Sequence, residues 1–177
     1  MPMKTSTRFV NAAILNCFTA LVLCTVCEFL ALSRGNLPGG VWNWQIFGVN
    51  FVISWCAATI LGMIPGIPAL GFAFASKFAK PSDGLKFGLL VNIPINTIYS
   101  IVLDLVMSIW SVCLMPVVLF GAPQGGPIQA ALMGALMDFP IIWVVCYIVT
   151  FLLVQPVEKL ARRICNDPAP EMPPAQQ

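Results

Sequence analysis

The chain has 177 residues, of which only nine are Lys or Arg and seven are Asp or Glu, a formal net charge of +2. Hydrophobic types make up 59%, whereas a soluble domain is about one-quarter charged. This chain cannot cover a water-facing surface, which excludes a soluble enzyme, a nucleic-acid binder and a disordered protein. Histidine is absent, which excludes His-ligated metal, haem and His-based acid–base catalysis. The expected class is an all-α membrane protein with no cofactor.

Residues 1–8 form a short N-terminus carrying Lys4 and Arg8. A transmembrane helix needs about 20 apolar residues, and Phe9–Leu32 supplies the first. Its apolar run is too long for a typical signal peptide and no small-residue cleavage site closes it, so a retained span is expected. Trp42 and Trp44 then fit an interfacial aromatic belt. The second window, Gln45–Phe74, is longer than needed, and Gly62, Pro65, Gly66 and Pro68 are expected to kink its end. Residues 81–86 form a linker. The third span covers Phe87–Met115 and is expected to stop near Leu114, before Pro116. The fourth covers Gln129–Val154, followed by a basic stretch to residue 164. The segment 165–177 holds four prolines and is expected to be disordered.

Basic residues set orientation. Lys4 and Arg8, then Lys77, Lys80 and Lys86, then Lys159, Arg162 and Arg163 fall on one side, and Arg34 alone falls on the other. Both termini and the middle loop are therefore expected in the cytoplasm, with the bilayer as the principal partner. Lys159, Arg162 and Arg163, with Leu160 and Ile164 between them, read as an amphipathic stub on anionic lipid, not a nucleic-acid patch.

The chain echoes itself. Moved by 76 residues, Asn16, Cys24 and Glu28 fall on Asn92, Ser100 and Asp104. Moved by 88, Asn50, Phe51, Ile53, Trp55 and Pro68 fall on Asp138, Phe139, Ile141, Trp143 and Pro156. Apolar matches are easy in membrane chains; polar, Trp and Pro matches are not. Two tandem two-helix repeats, 9–80 and 87–164, are expected, related by an axis along the membrane normal.

The same positions form stripes at helical spacing. They run Ala12, Asn16, Ala20, Cys24 and Glu28 in span 1, and Asn50, Ser54, Ala58 and Gly62 in span 2. Span 3 continues with Gly88, Asn92, Asn96, Ser100, Asp104 and Ser108; span 4 has Gly134, Asp138, Cys146 and Thr150, interrupted by Ile142. Small and amide residues let membrane helices approach and hydrogen-bond. The stripes either bind the bundle together or line a polar path of Asn16, Asn50, Asn92, Asn96 and Ser100. Trp55 and Trp143 are expected as packing anchors whose indole N–H groups find partners.

The run from Trp143 to Pro156 and on through Val-Glu-Lys-Leu-Ala-Arg-Arg-Ile resembles the small two-helix bacterial membrane proteins of domain-of-unknown-function family 2798. The first half matches less well, because Pro68 is followed by Ala-Leu-Gly-Phe-Ala-Phe-Ala-Ser-Lys, without a basic cluster. The resemblance covers Phe9 to Ile164 through a short, degenerate motif. It implies a bacterial inner-membrane location and brings no activity with it.

Three carboxylates lie in the spans: Glu28, Asp104 and Asp138. An ionised carboxylate in hydrocarbon is expensive, so it is paired, protonated or wet. With no Lys or Arg inside a span, the expected pairing is Arg34 snorkelling to Glu28. Asp138 is expected deeper and unpaired, either hydrogen-bonded or titrating. Cys24 and Cys27 form a C-x-x-C. In span number and length the chain is similar to the quinone-linked disulfide-generating oxidoreductases, but those also need a second cysteine pair in an outer loop. Here the outer loops have none.

Three functions follow: movement of a small solute, ion or proton, with Asp138, Asp104 and Glu28 as titrating groups; a structural or accessory subunit, as a homo-oligomer or beside a membrane partner; and a thiol oxidoreductase. The first leads in this reading, and no enzymatic site is expected.

Overall fold

Hydrocarbon offers no water to backbone N–H and C=O groups, so a spanning segment must close its bonds internally as a helix. The computed structural model describes residues 3–37 and 40–168. Four of its helices are long and apolar enough to cross a membrane: Thr5–Ser33, Trp44–Gly62, Leu85–Phe120 and Ile128–Ile164. This is a multi-pass, all-α membrane protein.

Helix α1 spans Thr5–Ser33. Helix α2 spans Trp44–Gly62 and starts where the Asn43 side chain accepts from the Gln45 and Ile46 amides at 2.9 and 3.2 Å, satisfying two otherwise unpaired donors. The second span ends earlier than expected. Met63 to Pro65 break the helix, and Gly66–Ala75 forms a separate helix α3 with Pro68 in its first turn. Proline is tolerated there because that N–H has no helical acceptor. Helix α3 lies tightly on the next span: a Cβ added to Gly71 would stand 2.7 Å from the Val91 carbonyl oxygen.

The third span does not stop before Pro116. Helix α4 covers Leu85–Ile109, a π turn follows over Trp110–Leu114, and helix α5 continues over Met115–Phe120. Proline clashes with the carbonyl four residues back, here that of Val112. The wider π turn absorbs that clash. The Val112 oxygen accepts instead from the Gly126 amide of the following loop at 2.8 Å. Gly125 is equally constrained, since a Cβ there would fall 1.7 Å from the Cys113 oxygen. Helix α6 spans Ile128–Ile164, longer than the fourth window, and carries Pro140 and Pro156 without breaking.

Helix α1 packs along α2 and α6, and α4 packs along α6, α3 and, more thinly, α2. The four spans form a ring in the order α1, α2, α4, α6. The Lys4 amide donates to Asp167 Oδ2 at 3.0 Å, and Lys4 Nζ donates to the Asn166 carbonyl at 3.3 Å. The two described chain ends thus meet at one end of the bundle, the terminal end; residues 34–37, 40–43 and 121–127 lie at the other, the loop end. Asn166 and Asp167, expected within a disordered tail, are held in place. Asp167 accepts from the Lys4 amide and sits near Arg162, which holds its carboxyl below the usual carboxylate range. The rest of that expected tail, from residue 169, lies outside the described residues.

Candidate functional site

The stripe of α1 is buried throughout: Ala12, Asn16, Ala20, Cys24 and Glu28 are all between 2 and 6% exposed. Ser54 and Ala58 of α2 and Asn96, Ser100 and Asp104 of α4 are buried as well. On α6 the line differs from expectation. Ala131, Ala135, Ile142 and Cys146 are buried, so Ile142 belongs to the packed face. It joins Leu23, Cys146 and Cys27 in one apolar cluster between α1 and α6.

The amides reach neighbouring helices. Asn16 Nδ2 donates to the Ala58 carbonyl at 2.9 Å, and Asn96 Nδ2 to the Trp143 carbonyl at 2.9 Å. Asn92 Nδ2 meets the Tyr147 carbonyl at 3.3 Å and the Thr150 hydroxyl at 3.1 Å. Asn50 accepts from the Trp110 indole at 2.9 Å. Trp55 Nε1 donates to the Ala13 carbonyl at 2.8 Å, and Trp143 Nε1 donates to the Thr97 hydroxyl at 2.9 Å. Tyr147 closes the set by donating to the Leu89 carbonyl at 2.9 Å. Ser54 and Ser100 hydroxyls are buried without a hydrogen-bond partner, as is the Asn96 carbonyl oxygen, among the described residues.

The carboxylates sit at the loop end, and the pairing differs from expectation. Arg34 reaches Asp138, not Glu28: Nη2 lies 2.6 Å from Oδ1. The pair is a charge contact whose N–H does not align on the oxygen, and Asp138 raises the Arg34 guanidinium above its ordinary value. Asp138 is thus not unpaired. It lies ten residues into α6, where an arginine just past the end of α1 reaches it across the α1–α6 contact. Linear proximity favoured Glu28; the neighbouring helix decided otherwise.

Glu28 is 3% exposed, and its Oε1 has no hydrogen-bond partner among the described residues. The Asn43 backbone amide faces its carboxyl group. The same loop carries Trp42, whose ring centroid lies 5.4 Å from Phe29 and Phe47 and 5.6 Å from Trp44. Phe29, Trp42, Trp44 and Phe47 thus form an aromatic cluster where the chain passes from α1 to α2.

Asp104 is 5% exposed and makes no hydrogen bond or ion pair among the described residues. It faces Asp138 and Cys27. It also lines a cleft of about 330 Å³ between α4 and α6, where it is the one polar residue beside Ile101, Leu105, Leu132, Ala135, Leu136 and Phe139. The outer lips of the cleft are lipid-facing: Leu136 is 69% exposed and Leu132 47%. Sequence reasoning placed Asp104 on a stripe but not beside a lateral cleft, since no residue pattern reports the gap between two helices.

Cys24 and Cys146 are buried, and all seven cysteines are free. Among the described residues no group of three His, Cys, Asp or Glu side chains is placed to hold a metal ion. Compared with family models, with curated proteins and with solved structures, the chain matches none.

Proposed function

We propose that this protein is a structural or accessory membrane subunit whose polar stripes serve helix packing. One observation carries the reading: Asn16, Asn92, Asn96, Trp55 and Tyr147 each spend a donor on a backbone carbonyl of an adjacent helix. A side chain committed to a neighbour's backbone is unavailable to a moving solute. Such bonds act as interhelical glue in lipid. The test is Asn92→Leu, followed by purification in mild detergent. The expected result is loss of the assembled form and of any co-purifying membrane partner, and an unchanged assembly would sink the reading.

The second reading is translocation of a proton or small ion through Asp104 and Asp138. What favours it is the unpaired Asp104 carboxyl beside a charged neighbour. Proteoliposome flux decides: if Asp104→Asn and Asp138→Asn both leave it unchanged, that reading ends.

We further propose that the bundle is a duplicated two-helix unit with a two-fold axis along the membrane normal. Arg34 moved by 76 residues falls on Trp110, and Asn50 moved by 88 falls on Asp138. Arg34 pairs with Asp138 across α1 and α6; Trp110 bonds Asn50 across α4 and α2. Ala13, which accepts from Trp55, corresponds to Leu89, which accepts from Tyr147, one turn beyond the equivalent Trp143. These reciprocal contacts support the repeat independently of residue identity. The meeting of the chain ends, with the basic residues near them, supports two cytoplasmic termini. The likeness to family 2798 and a bacterial inner membrane belong to the same proposal.

A further inference from the structure

We infer that the cleft between α4 and α6 is a binding site for a lipophilic monocation, an apolar body bearing one ammonium or onium charge, entering sideways from the bilayer. Counted as ionised, Asp104 and Asp138 carry two negative charges, and Arg34, 2.6 Å from Asp138, returns one positive charge. Of these two, Asp138 has Arg34, and Asp104 has no partner of its own among the described residues; Glu28, the third carboxyl within the spans, sits beside the Asn43 amide and does not line the cleft. A carboxylate next to hydrocarbon is costly unless a cation or a proton meets it. The cleft offers space for the first, about 330 Å³ beside that carboxyl.

The walls define what accompanies the charge. Ile101 and Leu105 from α4 and Leu132, Leu136 and Phe139 from α6 are all apolar. They have no donors or acceptors in their side chains to replace the water of a small hydrated ion. A hydrophobic cation with little hydration to lose suits such a wall, and sites of this kind combine an apolar lining with one placed polar group. Phe139 adds an aromatic ring, a surface to which a cation is attracted. The lips at Leu132 and Leu136 face lipid, so the route in is lateral. This site goes beyond the packing role proposed above and does not depend on it.

The experiment uses the full chain in nanodiscs of a phosphatidylcholine bilayer and measures retention of radiolabelled tetraphenylphosphonium. Tetraphenylborate, of the same shape and opposite charge, is the comparison. Wild type should hold the cation saturably and the anion only by partition. Asp104→Asn should weaken retention tenfold or more. Leu136→Trp, which fills the cleft from a lipid-facing position and changes no charge, should weaken it comparably. Arg34→Gln should strengthen it several-fold, because it removes the positive charge that Asp138 holds near Asp104; a merely damaged fold would not bind more tightly. Equal retention of cation and anion, indifference to Asp104→Asn, or weaker binding by Arg34→Gln would each overturn the proposal. Displacement of the cation by added phosphatidylethanolamine would overturn it too, by assigning the cleft to a lipid headgroup.

Discussion

Glu28 and Asp104 each stand twelve residues beyond an asparagine, Asn16 or Asn92, that bonds the backbone of a neighbouring helix. Their exposures are nearly equal, at 3 and 5%. What differs is the surroundings. The approach to α2 brings the Asn43 amide to Glu28 and sets Trp42 against Phe29 and Phe47. Residues 121–127 instead turn back onto their own span, where Gly126 bonds Val112 and Gly125 lies against Cys113. That loop is committed to repairing the backbone around Pro116 and leaves Asp104 beside an open cleft. One connection sets an amide beside a carboxyl and the other mends a helix, so like positions have unlike chemistry.

The largest way to break this difference is Gly125→Ala. The added Cβ would need the Cys113 oxygen, 1.7 Å away, to move, and both sides of the contact are backbone. We expect a loss of about 3 kcal/mol or more, read as a drop in unfolding temperature in detergent. Gly134→Ala is the control, because nothing lies within 4 Å of a Cβ there; it should be neutral, or stabilising by about 0.5 kcal/mol for a helical glycine replaced. Equal behaviour of the two variants would mean the loop does not dock on the π turn.

Next in size are the buried asparagines that join the two helices of each hairpin. Asn16→Leu and Asn96→Leu each remove a bond of 2.9 Å to a carbonyl of the partner helix. A loss of about 1 kcal/mol apiece is expected, measured by reversible unfolding in mixed micelles. Comparable losses would show that the two hairpins are joined alike at mid-bundle and differ only at the loop end.

These asparagines also mark how far residue pattern reaches. Spans, stripes and the burial of Asn16, Asn96, Ser100 and Asp104 follow from periodicity, which is local and survives folding. Partner choice does not. Whether Arg34 meets Glu28 or Asp138 depends on the level and rotation of α6 against α1, set by many apolar contacts at once. The breaks were legible only as residue types. Gly62 to Pro68 ended a helix, whereas Pro116, Pro140 and Pro156 did not. A proline in a membrane helix is tolerated when its freed carbonyl is satisfied elsewhere, and the Gly126 amide that satisfies Val112 lies in a separate loop.

A smaller effect separates the two cross-contacts at the loop end. Arg34 and Asp138 form an ion pair whose side chains are 36 and 23% exposed, and Trp110 and Asn50 form a neutral hydrogen bond of 2.9 Å. Double-mutant cycles with Arg34→Gln and Asp138→Asn, and with Trp110→Phe and Asn50→Leu, should give coupling below about 1 kcal/mol in each case. Salt distinguishes them. Raising ionic strength screens a partly exposed ion pair, so the first coupling should shrink between 0.05 and roughly 0.5 M salt while the second holds. Identical salt responses would remove the chemical difference between the contacts.

The finest discrimination carries almost no stability change and rests on access. Dicyclohexylcarbodiimide partitions into lipid and adds to a carboxyl it can touch, forming a stable N-acylurea after rearrangement. Asp104 borders a cleft whose lips face hydrocarbon, whereas Glu28 is buried beside the Asn43 amide and borders no such cleft. The reagent should therefore label Asp104 and spare Glu28, as read by peptide mass spectrometry. Trp42→Ala should leave the rate at Asp104 unaltered, because Trp42 packs within the other hairpin. Glu28→Gln should change unfolding temperature little, since the buried side chain already has an oxygen without a partner. Labelling of Glu28 in the wild type at the rate of Asp104 would mean that the two carboxyls are equally accessible from lipid, and the contrast between the hairpins would collapse.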